Sequence, residues 1–236
     1  MVVSEIASNH AGDIELAKRY IEKSKEAGAD IAKFQYFRVA DGFFPRDDPR
    51  FGQVKKAELS LDQLGELWDH CERVGIGFLV TPFKRVERVE ELASLGLHRV
   101  KIREADSRNG EMVRRALALF DEVYISATRI PLDPFLMYHP RIRWLMATPK
   151  YPYPLEEFDL GRVPSFDGLS DHTVGITASV AACSVAAASG KDRFVLEKHV
   201  TLDRRIPNPD QAVSVDFREL AELVGHLRAL ETIKKR

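Results

Sequence analysis

The chain has 236 residues, of which 44% are hydrophobic and 30% are charged, enough for one globular domain with a substantial apolar core. Lys and Arg total 35 against 36 for Asp and Glu, and this balance gives no electrostatic basis for nucleic-acid binding. The sequence has no apolar run near the roughly 18 residues that span a membrane, no signal peptide, and only two cysteines, so we expect a cytoplasmic protein without disulfides.

Short apolar runs alternate with longer amphipathic segments, which predicts alternating strands and helices. The predicted strands are Val2–Ile6, Ile31–Gln35, Gly77–Thr81, Arg99–Ile102, Glu122–Ser126, Ile142–Ala147, Gly168–Ser170 and Phe194–His199. The predicted helices and short helical turns are Ile14–Ala27, Asp62–Val74, Val86–Ser94, Glu111–Leu119, Pro131–Tyr138, Leu155–Leu160, Thr177–Ser189 and Phe217–Lys234.

These eight strand–helix units predict an α/β fold, a (β/α)₈ TIM barrel, in a single domain over residues 1–236. A doubly wound open sheet would show the same alternation. The turn at residues 7–12 lacks the G-x-G-x-x-G pattern, which disfavours a dinucleotide-binding version of that sheet. The segment Phe37–Ser60 shows no periodicity and is too long for a simple connection, so we expect a lid or substrate loop there.

Polar residues lie at or just beyond the carboxyl ends of the predicted strands, and in a barrel these ends form the rim that carries the active site. A buried ammonium group is costly unless it meets an anion, so Lys33 and Lys101 together indicate an anion site rather than lysines that extend to solvent. The polar residues at these ends are Glu5, Asn9, His10, Lys33, Gln35, Thr81, Lys101, Ser126, Thr148, Tyr151, Ser170, Asp171, His172, Glu197, Lys198 and His199.

Two of these residues, His172 and His199, end adjacent predicted strands, and each lies near a carboxylate in the sequence. Imidazole is a common metal ligand, and two histidines could hold one divalent ion with positions left for water and substrate. A histidine at a strand end is more often a structural hydrogen-bonding group, but the pair favours a metal site. His10 carries less weight because it lies in a loop.

Residues 5–12 read E-I-A-S-N-H-A-G, residues 168–175 read G-L-S-D-H-T-V-G, and residues 197–204 read E-K-H-V-T-L-D-R. Shorter motifs are A-K-F-Q at 32–35, L-V-T-P-F at 79–83, V-K-I at 100–102 and P-N-P-D at 207–210. In this order and spacing they resemble the motifs of the sialic acid synthase (N-acetylneuraminate synthase) family over essentially the whole chain. The blocks that contain the two histidines are the most specific.

The resemblance implies a transferase that condenses phosphoenolpyruvate with an aldose, such as an amino sugar, to give a 2-keto-3-deoxy sugar acid and phosphate. It implies a divalent metal, manganese with magnesium as the alternative, and a homodimer as one assembly. We therefore expect catalytic roles for Glu5, Lys101 and Glu197, substrate binding by Lys33, Gln35, Thr81, Ser126, Tyr151, Ser170 and Asp210, and metal ligation by His172 and His199.

The chain departs from the family pattern mainly on the side of the acceptor sugar. By the resemblance, Glu104 replaces a serine that binds phosphoenolpyruvate, and it should repel phosphate unless Arg103 offsets its charge or its side chain turns away. Pro149 stands where family members have a polar residue, and Arg129 adds a positive charge that would suit a phosphorylated or carboxylated acceptor. The chain ends at residue 236, so we interpret it as the barrel domain without the family's C-terminal antifreeze-like domain.

Two other functions fit the same residues. A Schiff-base aldolase would use Lys33 or Lys101 as its nucleophile. A noncatalytic or altered-specificity relic of the family would keep the fold and a metal, with Glu104 and Pro149 marking the change. For the synthase and for the aldolase alike, the expected partners are small-molecule substrates. Neither a nucleic acid nor a membrane is expected as a partner.

Overall fold

The computed structural model describes residues 1–148, 150–191, 193–206 and 208–234. Pro149 and Pro207, which belong to motifs compared above, lie outside the described residues. Within those ranges eight parallel strands form a nearly closed barrel, so the predicted (β/α)₈ fold is confirmed and the open sheet is wrong. The strands are β1 (Val2–Glu5), β2 (Ile31–Tyr36), β3 (Gly77–Pro82), β4 (Arg99–Ile102), β5 (Glu122–Ala127), β6 (Ile142–Met146), β7 (Gly168–Asp171) and β8 (Val195–His199).

Hydrogen-bonded neighbours follow the order β3-β2-β1-β8-β7-β6-β5-β4, and β3 and β4 lie against each other at the two ends of this order. The helices are α1 (Ile14–Glu26), α2 (Phe51–Lys56), α3 (Leu61–Val74), α4 (Glu87–Ser94), α5 (Gly110–Leu119), α6 (Pro134–Met137), α7 (Thr177–Ala188) and α8 (Phe217–Lys234). Their apolar faces pack on the outward faces of the strands and form the main core. None of the described helices has the length and apolar character that a bilayer-spanning segment requires.

Two predicted segments between strands differ from the structure. The segment Phe37–Ser60 is partly ordered into secondary structure, because it contains a 3₁₀ turn at Val39–Asp41 and the helix α2. The single turn predicted at Leu155–Leu160 is instead two 3₁₀ helices, Leu155–Glu157 and Leu160–Ser165. Pro164 lies inside the second one, and proline disfavours a longer α-helix at this position.

The inward side chains of the strands form chemically distinct layers, because successive residues of a strand point to opposite faces. One layer is an apolar floor made of Val3, Ile31, Leu79, Tyr124, Leu145 and Val195. Two residues further along the strands, the next layer is polar and contains Glu5, Lys33, Thr81, Ser126 and Glu197. This polar layer lies toward the carboxyl ends of the strands, where the predicted site residues converge.

Candidate active site

A cavity of about 340 Å³ opens at the carboxyl ends of the strands, and we call it the upper cavity. Its volume lies in the range that binds small molecules. All twelve residues predicted to form the site line it, namely Glu5, Lys33, Gln35, Thr81, Lys101, Ser126, Tyr151, Ser170, His172, Glu197, His199 and Asp210. The structure therefore brings the predicted residues together, while the role of each residue stays a prediction.

Two lysines and two glutamates form a buried ionic network at the base of the upper cavity. Lys33 Nζ lies 2.5 Å from Glu5 Oε2 and 3.4 Å from Glu197 Oε1. Lys101 Nζ lies 2.7 Å from Glu197 Oε2. Each of the four side chains belongs to a residue that is at most 4% exposed. The anions that compensate the two lysines are thus carboxylates of the chain itself, which explains how the barrel tolerates buried ammonium groups.

Neighbouring amide and hydroxyl groups fix both carboxylates. Gln35 Nε2 donates to Glu5 Oε1 at 2.8 Å, and Ser170 Oγ donates to Glu197 Oε1 at 2.8 Å. Because Gln35 lies two residues beyond Lys33 on β2, both side chains face the barrel interior and reach the same glutamate. The carboxylates are therefore held in defined positions rather than free to rotate.

The network shifts the pKa values of its members in different directions. Burial lowers the pKa of Lys101 to about 8, although Glu197 acts in the opposite sense. Burial also acts against the Lys33 ammonium, but Glu197 and Glu5 outweigh it and raise the pKa of Lys33. Burial would raise the pKa of Glu197, yet Lys101 and Lys33 reverse this and hold it well below its usual range. Lys101 is consequently the lysine of the network that loses its proton most readily.

The two histidines lie side by side at the rim of the upper cavity, with 5.5 Å between their ring centroids. Nδ1 of His172 and Nδ1 of His199 are buried and have no hydrogen-bond partner among the described atoms. Burial, together with the neighbouring His199, lowers the pKa of His172 to about 3, so this imidazole is neutral at pH 7. Buried imidazole nitrogens without a partner fit a divalent metal, whereas a structural histidine would be hydrogen-bonded.

Any metal here would have few protein ligands. In the part of the chain that the structure describes, no group of three or more His, Cys, Asp or Glu residues is arranged to hold an ion. His172 and His199 would therefore leave several coordination positions for water or substrate, which is the arrangement of a catalytic rather than a structural metal.

A second group of hydrogen-bonded polar residues lies at the mouth of the upper cavity. Tyr151 Oη donates to Asp210 Oδ1 at 2.6 Å and lies 3.3 Å from His199 Nε2. Ser8 Oγ donates to Asp210 Oδ2 at 2.7 Å. Burial would raise the pKa of Asp210, but His199 and the hydrogen bonds from Tyr151 and Ser8 lower it. Asp210 is thus an ionised acceptor beside the histidines.

The upper cavity has an aromatic wall that was not predicted from the sequence. Phe37, Phe43 and Phe44 from the segment after β2 line it together with Phe83. The ring centroids of Phe37 and Phe43 are 4.9 Å apart, and those of Phe43 and Phe83 are 5.1 Å apart. The phenylalanines of residues 37–51 were the available signal, but a segment without periodicity gives no way to assign them to a site.

The residues at which the chain departs from the family motifs do not all line the upper cavity. Glu104 lines the upper cavity, but Arg103 does not pair with it. Instead, Arg103 Nε lies 2.5 Å from Asp106 Oδ2, and its guanidinium lies 4.1 Å from the Phe83 ring centroid. Arg129 lies outside the upper cavity, in a separate depression. Arg103 is therefore paired with Asp106 and not with Glu104.

His10, which carried less weight as a metal ligand, has a different environment from the two histidines. It is buried beside Phe34, and its Nδ1 accepts a hydrogen bond from the backbone N–H of Gly12 at 3.1 Å. Burial lowers its pKa to about 4. A neutral, hydrogen-bonded ring of this kind shapes the turn after β1.

Asp171 and Lys198 form a fully buried pair behind the two histidines. Lys198 Nζ lies 3.0 Å from Asp171 Oδ2 and donates to the Thr173 carbonyl at 2.6 Å. Each member precedes one histidine in the sequence, so it points out of the barrel while the histidine points in. The pair therefore joins the ends of β7 and β8 on the outer side.

Lys198→Met is expected to lower the free energy of unfolding by about 3–5 kcal/mol, because it leaves Asp171 buried without its cation. Denaturant unfolding followed by circular dichroism measures this loss. The same substitution at Lys23, whose pair with Glu26 is exposed, serves as the control and should change stability by less than about 1 kcal/mol. Equal losses in the two variants would contradict the assignment.

The sequence of the chain is similar to those of known proteins. The model of the NeuB family matches residues 20–236 of the chain. An N,N'-diacetyllegionaminic acid synthase from Campylobacter jejuni is 30% identical over 98% of this chain and 76% of that protein. The N-acetylneuraminate-9-phosphate synthase of Homo sapiens is 30% identical over 98% of this chain and 70% of that protein.

A solved structure of a protein with a similar name superimposes on the chain. The crystal structure of an N-acetylneuraminic acid (sialic acid) synthetase from Leptospira borgpetersenii superimposes with a TM-score of 0.85 and 25% sequence identity. The superposition covers 100% of this chain and 85% of that one. The similarity in sequence and in structure thus extends over the whole barrel.

Proposed function

The chain belongs to the NeuB family, and we propose that it condenses phosphoenolpyruvate with an aldose to form a 2-keto-3-deoxy sugar acid and phosphate. Relatives named as synthases of legionaminic acid and N-acetylneuraminate 9-phosphate support this reaction type. The observation that carries the proposal is the buried network of two lysines and two glutamates at the base of the upper cavity.

Phosphoenolpyruvate would bind at the base of the cavity. Lys33 and Lys101 supply positive charge for its carboxylate and phosphate. Three hydroxyls that line the same cavity, those of Thr81, Ser126 and Thr148, are buried and have no hydrogen-bond partner among the described atoms. Buried donors are rarely left unpaired, so these hydroxyls suit a ligand with several acceptor oxygens.

The acceptor aldehyde would lie above, next to the histidines. His172 and His199 would hold a divalent ion, for which we propose manganese, with magnesium as the alternative. Such an ion, when bound, polarises a carbonyl oxygen as a Lewis acid. Tyr151 and Asp210 lie at the same side of the cavity and offer a donor and an acceptor to sugar hydroxyls. Holding both reactants in one cavity supplies the orientation for carbon–carbon bond formation.

Glu197 is the proposed proton acceptor. Carbon 3 of phosphoenolpyruvate attacks the aldehyde carbon, and water adds to carbon 2 while Glu197 takes one of its protons. The aldehyde oxygen takes up one proton and becomes a hydroxyl. The new hydroxyl on carbon 2 then loses its proton and becomes the keto group as the C–O bond to phosphate breaks, and the phosphate leaves with the other proton. When the lysines turn toward phosphoenolpyruvate, their hold on Glu197 weakens and its pKa rises. Substrate binding would thus convert Glu197 from a weak base into a better one.

One observation favours a second candidate, the Schiff-base aldolase. Burial lowers the pKa of Lys101 to about 8, which brings a nucleophilic amine within reach near neutral pH. Borohydride reduction in the presence of pyruvate would then attach the pyruvate carbon skeleton covalently to Lys101. Mass spectrometry of the intact chain detects this mass increase, and the condensing synthase predicts none.

The direct test is phosphate release from phosphoenolpyruvate with manganese, against a panel of aldoses, amino sugars and sugar phosphates. We expect release that depends on one class of acceptor and stops when a chelator removes the metal. Release that persists at full rate with chelator would contradict the metal assignment. A chain that binds manganese tightly but binds no phosphoenolpyruvate would contradict the synthase and favour the noncatalytic relic.

A further inference from the structure

A second cavity, of about 440 Å³, lies at the opposite end of the barrel, beneath the apolar floor. We call it the lower cavity; its lining includes Arg99, Glu122, Arg143, Arg193, Phe194 and Leu227. Arg143 and Arg193 precede the floor residues Leu145 and Val195 by two positions. Strand alternation on β6 therefore directs Arg143 toward the barrel axis, one layer below the floor. Arg193 lies just before β8 at an exposed position and lines the same cavity.

This bottom layer is rich in positive charge. Its arginines at positions 99, 143 and 193 face a single carboxylate, Glu122. That carboxylate is already engaged, because Arg99 Nε lies 3.6 Å from Glu122 Oε2 and Tyr124 Oη donates to the same oxygen at 3.0 Å. Among the described residues that line the cavity, five side chains are cationic and three are carboxylates.

The other carboxylates of the lining are also engaged. Arg228 Nη2 lies 2.7 Å from Asp30 Oδ1, and Arg228 Nη1 lies 3.1 Å from Glu231 Oε1. Neither Arg143 nor Arg193 makes a side-chain hydrogen bond or an ion pair with any residue of the described ranges. Among the described residues, the lower cavity thus contains two guanidinium groups without a carboxylate partner.

Guanidinium groups that line one cavity repel one another. An anion between them removes this cost. The planar fork of arginine matches the oxygens of a carboxylate or a phosphate and binds them through two parallel hydrogen bonds. The charge of the lower cavity therefore favours a ligand with one of these two groups.

The rest of the lining is apolar. Phe194, Leu227 and Leu230 form one side, and Tyr124 and Val195 of the floor form the top. A cavity of this volume accepts a small organic molecule rather than only an inorganic ion. We propose that the lower cavity binds an organic anion in which a carboxylate or phosphate group is attached to an apolar, ring-sized body.

The test uses isothermal titration of the full chain with phenyl phosphate, with benzoate as the carboxylate probe and with benzyl alcohol as the neutral one. The double variant R143Q/R193Q is expected to weaken binding of the better anion at least tenfold. The single variant R193Q, at an exposed residue, should retain the fold and weaken binding at least threefold. Benzyl alcohol should bind at least tenfold more weakly than that anion.

Two controls distinguish this site from general charge effects and from the upper cavity. R218Q removes an exposed arginine of α8 that does not line the lower cavity, and K101M removes a cation of the upper cavity. Both should leave the arginine-dependent binding within twofold of the unchanged chain. Binding that survives R143Q/R193Q and R193Q, or that is lost with K101M instead, would overturn the proposal. Equal affinity for benzyl alcohol would do so as well.

Discussion

Glu197→Gln is expected to lower acceptor-dependent phosphate release at least 100-fold while the affinity for phosphoenolpyruvate is kept or increased. The glutamine side chain retains the shape of Glu197 and its contact with Ser170, but it cannot accept a proton. General base catalysis contributes about 10²–10⁴ in rate. The substitution also frees Lys33 and Lys101 from a competing carboxylate. Initial rates and isothermal titration measure the two effects separately.

Glu104→Gln is the matched control, because Glu104 lines the same cavity but forms no ion pair with Lys33 or Lys101. It should keep phosphate release within about fivefold and bind phosphoenolpyruvate more tightly, since a like charge near the phosphate is removed. A Glu197→Gln variant as active as the unchanged chain would refute the role of Glu197. Equal losses in both variants would mean that overall cavity charge, and not a specific base, governs the rate.

Lys101→Met is expected to weaken phosphoenolpyruvate binding more than tenfold and to remove its pH dependence above neutrality. A hydrogen bond to a charged group contributes about 1.5–3 kcal/mol, which corresponds to roughly 10- to 150-fold in affinity. The Lys101 pKa of about 8 means that the ammonium is present below this pH and lost above it. Affinity in the unchanged chain should therefore fall as the pH rises from about 7 to about 9.

Lys101→Arg separates charge from geometry in this experiment. A guanidinium stays protonated throughout this pH range, so the variant should show weaker but pH-independent binding. Titrations at a series of pH values compare the three chains. Unchanged affinity across the range in the chain with Lys101, or an unaltered pH profile in Lys101→Met, would show that another group binds the anion.

Most of the barrel could be predicted because its strands are short apolar runs with clear boundaries. The helix α2 could not, since Phe51–Lys56 is too short to show a helical period, and its Val54 packs against Phe37 and Phe83 in a cluster formed only in three dimensions. The prediction for the connection between β6 and β7 was also inaccurate. There Pro164 favours the 3₁₀ form over the α-helical form.

The candidate site could be predicted as a set of residues but not as a network. The pair Glu5 and Lys33 follows from neighbouring strands in register. By contrast, Lys101 on β4 and Glu197 on β8 come from distant strands of the sheet order and meet only because the sheet curves into a barrel. From the sequence one could therefore predict that the lysines need an anion. One could not predict that carboxylates of the same chain already supply it.

The aromatic wall of the upper cavity belongs to a segment with a small core of its own. Val39, Val54 and Ala57 pack with Phe37 inside this segment, and Phe83 is the barrel's contribution to the cluster. A unit that folds around its own core can be exchanged as a block without disturbing the strands beneath it. Substitutions in this segment can therefore alter the wall of the upper cavity while the strands that carry the ionic network stay unchanged.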